Sequence, residues 1–326
     1  MNNLQNLALE KLKNFDKKSL LKNGLNLDYE VNNPICNLSI LEDYIDDYPE
    51  FFEDSFVLDL ISKNASVFKY KISDNRCLDI TESEIYNSIV IIEVEDNATA
   101  SCMLEGFTSF PNYCVLIVCK ENSNFELVTP YKTAGQVCCY QYLKENANAR
   151  TIVLNSCSQY NSYFNYKSFL IGKGSSHNFF VYAKFASAKH FLYVTNHFKV
   201  ADCKGEIWID GILDDAAYAK IIGSINIDLQ GANTDSYMKK DIIMLDDKSK
   251  LDCVPALEIK TNDVKAGHGV SVSKFDKEKK FYLQSRGLND VRLINLVCDG
   301  LLFKNIDKIN SDHYRKAMID FHSRDL

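Results

Sequence analysis

Glycine is nearly missing from the first third of this 326-residue chain: of thirteen glycines, only Gly24 precedes residue 100. Proline occurs five times and tryptophan once, as Trp208. No apolar run approaches the roughly 18 residues that a membrane-crossing helix needs. The N-terminus, MNNLQNLALEKLKNF, has no basic segment followed by an apolar one, as a secretory signal would. A soluble, cytoplasmic protein without a membrane partner is the expectation. A surplus of positive charge is also absent: 44 acidic against 37 basic residues leave a net charge of −7. Displacing counterions from a nucleic-acid backbone needs a basic footprint, so nucleic acid is an unsuitable partner. No GxxxxGK[ST] phosphate loop occurs, so nucleotide hydrolysis would have to come from another chain.

The eleven cysteines contain no CxxC pair. Cys114 and Cys119 are separated by four residues and Cys138 and Cys139 are adjacent, neither a usual zinc spacing. Most lie within apolar segments such as YCVLIVC and QVCCYQY, where a thiol acts as a small hydrophobe. An odd number spread along a long chain fits reduced thiols rather than a disulfide framework.

What is present changes character along the chain. Residues 1–88 read as a helical region, with patterns at LQNLALEKLKNF and around ILEDYIDDYPEFFEDSFVLDLI. Ten acidic and no basic residues lie between Leu25 and Leu60, a solvated face or a surface for a basic partner. From about residue 88, short β-branched and aromatic runs follow, among them IVIIEV, CVLIVC, TIVL, FFVY, EIWID, DIIML, VSVS and KFYL. These read as strands. Their polar connections are too short for crossover helices, which excludes a doubly wound α/β sheet. A large sandwich, a propeller and a parallel β-helix remain. No blade-length repeat is visible, and beyond residue 88 the tight-hairpin signal is confined to Asp210-Gly211 and Asp299-Gly300, so a solenoid fits best. After Gly287, Asn289 and Ser311 are N-cap candidates for DVRLINLV and DHYRKAMIDFHS, with Gly300 as a break between them.

Four ordered words then carry a resemblance: Gly231-Ala232-Asn233-Thr234-Asp235-Ser236, Pro255-Ala256-Leu257-Glu258-Ile259, Asp263-Val264-Lys265-Ala266-Gly267-His268-Gly269, and Phe281-Tyr282-Leu283-Gln284-Ser285-Arg286-Gly287-Leu288. In this order and spacing they resemble the SufB/SufD family of SUF iron-sulfur cluster assembly scaffolds, on its SufD-like side, since His268-Gly269 replaces the His-Glu of SufB. The resemblance implies a mainly β protein: a right-handed parallel β-helix over 89–288, flanked by helical regions at 1–88 and 289–326. It also implies a scaffold subunit rather than an enzyme. Such a subunit pairs through its solenoid with a SufB-like chain or with itself, and binds a SufC-like ABC ATPase through its C-terminal helices. An iron-sulfur cluster is the transient cargo.

His268 is the residue this resemblance singles out, as an interface group and a ligand for iron. Its flanking glycines would permit close approach. Ser249 stands where SufB carries a cluster-associated cysteine. If the chain is a homodimeric minimal scaffold, Cys253 and Glu258 join His268 as candidate cluster or interface residues. A pairing subunit with no cluster ligands is the other reading. An enzyme acting on polysaccharides through grooved carboxylates is disfavoured by the free thiols. Arg286 and Gly287 are expected to be structural, with arginine tying carbonyls at the solenoid end. His177, His190 and His197 fit no metal spacing and are expected to be ordinary solenoid residues.

Overall fold

The computed structural model describes residues 39–63, 65–73, 76–80, 88–104, 112–131, 135–157 and 160–323. The N-terminal helical pattern at residues 4–15 lies outside these. Three short helices, α1 (Ser39–Glu42), α2 (Pro49–Phe52) and α3 (Ser55–Ser62), lead into sixteen strands running from β1 (Ser66–Ile72) and β2 (Arg76–Ile80) to β15 (Lys250–Ile259) and β16 (Val264–Lys274). Three helices close the described chain: α4 (Lys277–Ser285), α5 (Asp290–Ile306) and α6 (Asp312–Ser323). Odd-numbered strands form one eight-stranded sheet and even-numbered strands a second. Neighbours pair in parallel, as in β3 (Ser88–Val94) with β5 (Asn112–Cys119) and β10 (Ser176–Ala186) with β12 (Lys204–Asp214). The architecture is a parallel β-solenoid, and each odd-even pair of strands makes one coil.

One corner of each coil shows why the chain turns where it does. Asn97, Asn122, Asn146, Gly174, Asp202 and Asn233 all have left-handed backbones, with φ between 54° and 73°. Asparagine, aspartate and glycine tolerate this region best. The N–H groups of Asn97, Asn122 and Asn146 donate to the carbonyls of Glu121, Glu145 and Lys173 in the next coil, each at 2.9 Å. The asparagine side chains repeat the link: Asn146 donates to Asn122 at 3.2 Å and Asn122 to Asn97 at 3.3 Å. The residue after each corner is small and buried: Ala98, Ser123, Ala147, Ser175, Cys203 and Thr234. A Cβ at Gly174 would lie 2.4 Å from Asn146 Oδ1, so any other residue at that step of the ladder would push the Asn146 side chain aside.

Between the sheets lies an apolar core running from Ile72 to Ile242. It also holds a polar string in its middle coils. The Tyr166 hydroxyl donates to Gln141, Thr151 Oγ1 lies 2.9 Å from the Tyr166 hydroxyl and 3.1 Å from His177 Nε2, and His177 Nδ1 lies 2.9 Å from Asn196. Burial pushes His177 down to about 4, so it is a neutral member of this network. His190 is likewise buried, 2.9 Å from Ser162 Oγ.

The outer faces are covered unequally. Over the odd-numbered sheet, α1–α3 bury Phe51, Val57 and Ile61 against Ile89, Leu116, Tyr140 and Phe169. Over the even-numbered sheet, α5 and α6 bury Ile306, Ile309, Tyr314 and Met318 against Val128, Ile152 and Tyr182. Strands β3, β5 and β7 (Gly135–Leu143) are therefore buried along their whole length. By β13 (Tyr218–Ile227) the outer coat is thinner, and burial alternates residue by residue.

Several expectations are corrected. Strands begin at Ser66, ahead of residue 88, and β4 (Thr99–Leu104) is an additional one. The run KFYL is the helix α4, because Asp276 caps it by accepting the Glu278 N–H and the preceding strand ends at Lys274. Gly300 interrupts nothing: α5 passes through it, because one glycine costs a helix only about 1 kcal/mol and the packing of its neighbours outweighs that. Asn289 and Ser311 cap α5 and α6 as expected. Of the described thiols, Cys102, Cys114, Cys119, Cys138, Cys139, Cys203 and Cys298 are buried and Cys77 is exposed. No helix among the described residues is long and apolar enough to cross a membrane.

Two predictions follow from this packing. Asn146→Val, which forces a β-branched residue into the left-handed corner, costs about 1–2 kcal/mol, whereas Asn146→Gly costs less than half of that; denaturant midpoints of the two variants measure the difference. The N-terminal helices are also tied to the sheet by phenol–carboxylate bonds: Tyr44 to Glu93 at 2.5 Å, Tyr142 to Glu50 at 3.2 Å, and Tyr140 to Asp54. Burial acts to raise the Glu93 carboxyl, but the Tyr44 phenol and Lys69, Lys120 and Lys71 outweigh it and hold it below its ordinary value. Burial likewise acts to raise the Glu50 carboxyl, but a backbone hydrogen bond, Lys199 and the Tyr142 phenol together hold it below its ordinary value. Depressed carboxyls contribute stability above their unfolded pKa and lose it as pH falls through the folded one. The unfolding free energy should therefore fall as pH drops below about 4.5, and fall less in Glu93→Gln; equal falls in the two proteins, measured by denaturant titration of the tyrosine near-ultraviolet dichroism, would refute this account.

Candidate functional site

Each coil of a solenoid supplies the pairing groups that its neighbour needs, so the last coil has a free side. Here β15 pairs with β13, and β16 pairs with β14 (Thr234–Met244); the other edges of β15 and β16 are the ends of their sheets. Register then decides which side chains face inward. On β13 the buried set is Ala219, Ile221, Gly223, Ile225 and Ile227, and their partners on β15 are Leu251, Cys253, Pro255, Leu257 and Ile259. On β14 the buried set includes Ser236, Met238, Lys240 and Ile242, and their partners on β16 are Ala266, His268, Val270 and Val272.

Cys253 and His268 thus belong to the inward-facing sets of the terminal coil. Cys253 is half-buried against the core, while His268 is exposed, since among the described residues no further coil lies over it. Glu258 pairs with Asn226, which belongs to the outward set of β13, so the structure sets Glu258 apart from the other two candidates. Among the described residues no three His, Cys, Asp or Glu side chains gather in a metal-holding group. Ser249 is occupied in a turn, with its N–H donating to Asp246 at 2.8 Å and its hydroxyl to the same carboxylate.

The opening is lined by apolar residues that a complete core would hide. Val270 and Val272 are 40% and 49% exposed, and Ile259 is 39% exposed. On the outer surface of the same coil, the Tyr237 ring lies across the two glycines flanking His268. A Cβ on Gly269 would sit 2.9 Å from the Tyr237 hydroxyl oxygen, and one on Gly267 3.5 Å from its ring. The glycines thus accept an aromatic ring on the outer face.

Lys240 is the residue that sequence reading passed over. It is fully buried one coil below the opening, and is the one lysine or arginine in the buried set of the described residues. Its ammonium donates to Val254 O at 2.7 Å and to Ile221 O at 3.4 Å, bracketing the backbone at Cys253 and at its register partner. Gly223 makes the room, because a Cβ there would lie 2.4 Å from Met238 Sδ and 2.9 Å from Lys240 Cε. Burial lowers Lys240 to about 8. Burial raises the Cys253 thiol, and Lys240 partly offsets it. The only sequence signal was position: the inward set of β14 reads Ser236, Met238, Lys240, Ile242, which is visible once the register is known.

The C-terminal helices present a second surface. On α4 and α5, Phe281, Tyr282, Val291 and Leu296 are 74%, 56%, 66% and 52% exposed. Arg286 stacks its guanidinium 5.3 Å from the Tyr282 ring rather than tying carbonyls, and Gly287 takes the positive φ of 92° that ends α4.

A lysine whose pKa is depressed on folding disfavours the protonated native state, so its contribution to stability rises with pH between the folded and unfolded values. Relative to Lys240→Met, the wild-type unfolding free energy should therefore gain about 2–3 kcal/mol between pH 8 and pH 10.5. Denaturant titrations of both proteins across that range test it, and parallel curves would show that the ammonium is not desolvated.

The family described as "SUF system FeS cluster assembly, SufBD core domain" matches this chain over residues 78–301, more than two thirds of its length. The chain is 34% identical over 125 residues to an iron-sulfur cluster assembly SufBD family protein of Mycobacterium tuberculosis, covering 36% of this chain and 32% of the relative. It is 37% identical over 78 residues to the iron-sulfur cluster assembly protein SufD of Escherichia coli, covering 24% and 18% of the two chains. To the SufD of Bacillus subtilis it is 28% identical over 128 residues, covering 39% and 29%. The aligned part spans a third or less of each relative's length.

Proposed function

Since the chain belongs to the SufBD core domain family of the SUF iron-sulfur cluster assembly system, we propose that it is a SufD-like scaffold subunit whose terminal coil is completed by a second solenoid. The observation that carries this reading is the open end: two strand edges that no strand among the described residues pairs, around exposed Ile259, Val270 and Val272. Strand addition would satisfy the backbone groups of both edges and cover the apolar opening in one step. The partner is a SufB-like chain or a second copy of this one.

In this reading the cluster is cargo rather than a resident cofactor. His268 and Cys253 face the opening that the partner covers, and a neutral imidazole and a thiolate are suitable ligands for iron. In this reading the ligands are shared across the pair; the alternative is a pairing subunit that holds no ligand. Glu258, on the outward face, fits an interface role better than ligation. The exposed Phe281, Tyr282, Val291 and Leu296 on α4 and α5 are the surface offered to a SufC-like ABC ATPase, which supplies nucleotide chemistry that this chain, a scaffold in the cytoplasm rather than an enzyme, does not perform.

Anaerobic co-expression with the cognate ATPase and any SufB-like chain, followed by complex mass, iron and acid-labile sulfide, tests the reading. The expected result is a complex in which Val272→Lys separates the solenoid pair and Leu296→Asp releases the ATPase. Iron and sulfide that vanish in His268→Ala support cluster building; a complex that never holds iron leaves pairing alone, and failure to bind any ATPase overturns the assignment.

A further inference from the structure

A cleft of about 450 Å³ lies at the far side of the molecule from the open coil, between the even-numbered sheet and the turn joining α5 to α6. That volume is within the range of small-molecule sites. Its floor consists of two in-register rows on β4, β6 (Asn124–Tyr131), β8 (Asn148–Cys157) and β10. One row is Thr99, Asn124, Asn148 and Ser176; the other is Ser101, Glu126, Arg150 and Asn178. Asn310 and Ser311 form the opposite wall.

Which of these groups are already engaged decides what the cleft can hold. Glu126 is the one carboxylate in the lining, and both its oxygens are taken, by the Asn310 N–H at 2.7 Å and the Ser311 N–H at 2.8 Å. Asn148 accepts from Ser176 at 2.6 Å and donates to Asn146 O at 3.1 Å. Cys77 Sγ lies 3.2 Å from Ser101 Oγ. Arg150 donates through Nη1 to Lys308 O at 2.7 Å, which leaves most of its fork free. The Arg150 guanidinium and the Lys308 ammonium stand 5.6 and 5.7 Å from the same Phe180 ring, and of the two only Arg150 lines the cleft. The side-chain amides of Asn124 and Asn178 bond to no described residue, and Asn178 is half-buried. The Glu126 carboxylate and the Asn148 amide are thus engaged, and what remains unspent is a guanidinium fork and two side-chain amides whose N–H groups can donate. Such a set is complementary to an oxyanion.

We propose that this cleft is a binding site for a small metabolite bearing a carboxylate or phosphate group, held by the Arg150 guanidinium and the Asn178 and Asn124 amides. The site is independent of the scaffold reading, because it uses none of the residues of the open coil. Its position has a consequence of its own. The Arg150–Lys308 and Glu126–Asn310/Ser311 bonds seat the α5–α6 turn on the solenoid, so a ligand between them strengthens that seat. Binding to the folded state alone raises apparent stability with ligand concentration.

The test uses the full-length chain, with inorganic phosphate, citrate and malonate as probes and sodium chloride at matched ionic strength as control. Calorimetry and thermal unfolding should show saturable binding of at least one probe, and its identity separates a phosphate from a carboxylate ligand. Arg150→Gln and Asn178→Leu should each weaken that binding about tenfold or more, while Lys308→Gln, which keeps the main-chain carbonyl, weakens it less. Asn178 makes no bond that folding needs, so Asn178→Leu decides the matter if Arg150→Gln is unstable. No saturable binding below about 10 mM, or equal binding by wild type and Asn178→Leu, overturns the proposal.

Discussion

Parallel strand pairing between successive coils is the constraint on which everything else in this molecule depends. In a parallel ladder each strand offers hydrogen-bonding groups on both edges, and the chain can satisfy both only by placing another coil above and below. Register is then propagated rather than chosen coil by coil. The left-handed corners at Asn97, Asn122, Asn146, Gly174, Asp202 and Asn233 stack because the N–H of one corner reaches the carbonyl of the next coil. The same propagation makes the inward set of β14 dictate the inward set of β16. His268 therefore faces as Met238 does, and the exposure of His268 follows from its place in the last coil rather than from any local preference.

The helical coats modulate this regular frame and explain how much of it was legible in sequence. Where α1–α3 cover the odd-numbered sheet, β3, β5 and β7 read as predominantly apolar words, IVIIEV, CVLIVC and QVCCYQYL, which identify strands but hide the period of two. Where the coat thins, YAKIIGSINI alternates and states its own register. The corner signal was present as well, in EDNA, KENS and KENA. It did not read as a repeat because the interval between corners varies between 24 and 31 residues, longest where the strands are long. The strands ahead of residue 88 were missed because SVFKYKI and RCLDI carry lysine, arginine and aspartate on faces that are only partly covered. KFYL was misread because its aromatic residues, Phe281 and Tyr282, are exposed on a helix, where apolar texture reports a surface rather than a core.

The candidate site divides along the same line. The words around Pro255 and Asp263 single out Glu258 and His268, with Cys253 just ahead of the first, but a period of two cannot say which face a residue takes until one buried partner anchors it. Ile221 and Asn226 provide that anchor, and they send Cys253 inward and Glu258 outward. Lys240 could not be found from type or spacing. A lysine in a strand is ordinarily a solvated residue, and only the register, together with the space left by Gly223, makes it a buried cation.

The open coil carries an energetic argument about its own completion. A desolvated ammonium held by two neutral carbonyls is costly unless the surroundings supply compensating charge. Lys240 is in that position, and the group facing it across the last coil is a thiol that burial keeps protonated. A second solenoid laid against β15 and β16 would deepen the burial of both, which by itself worsens the imbalance. An anionic guest at the junction, or the thiolate form of Cys253 that iron ligation requires, reverses it, because the ammonium then has an opposite charge within a low-dielectric interior. In the scaffold reading, covering the open end and loading it with thiolate-bound cargo thus become mutually favourable: the partner provides the dry environment in which the charge pair is strongest, and the cargo provides the charge that makes the dry environment tolerable.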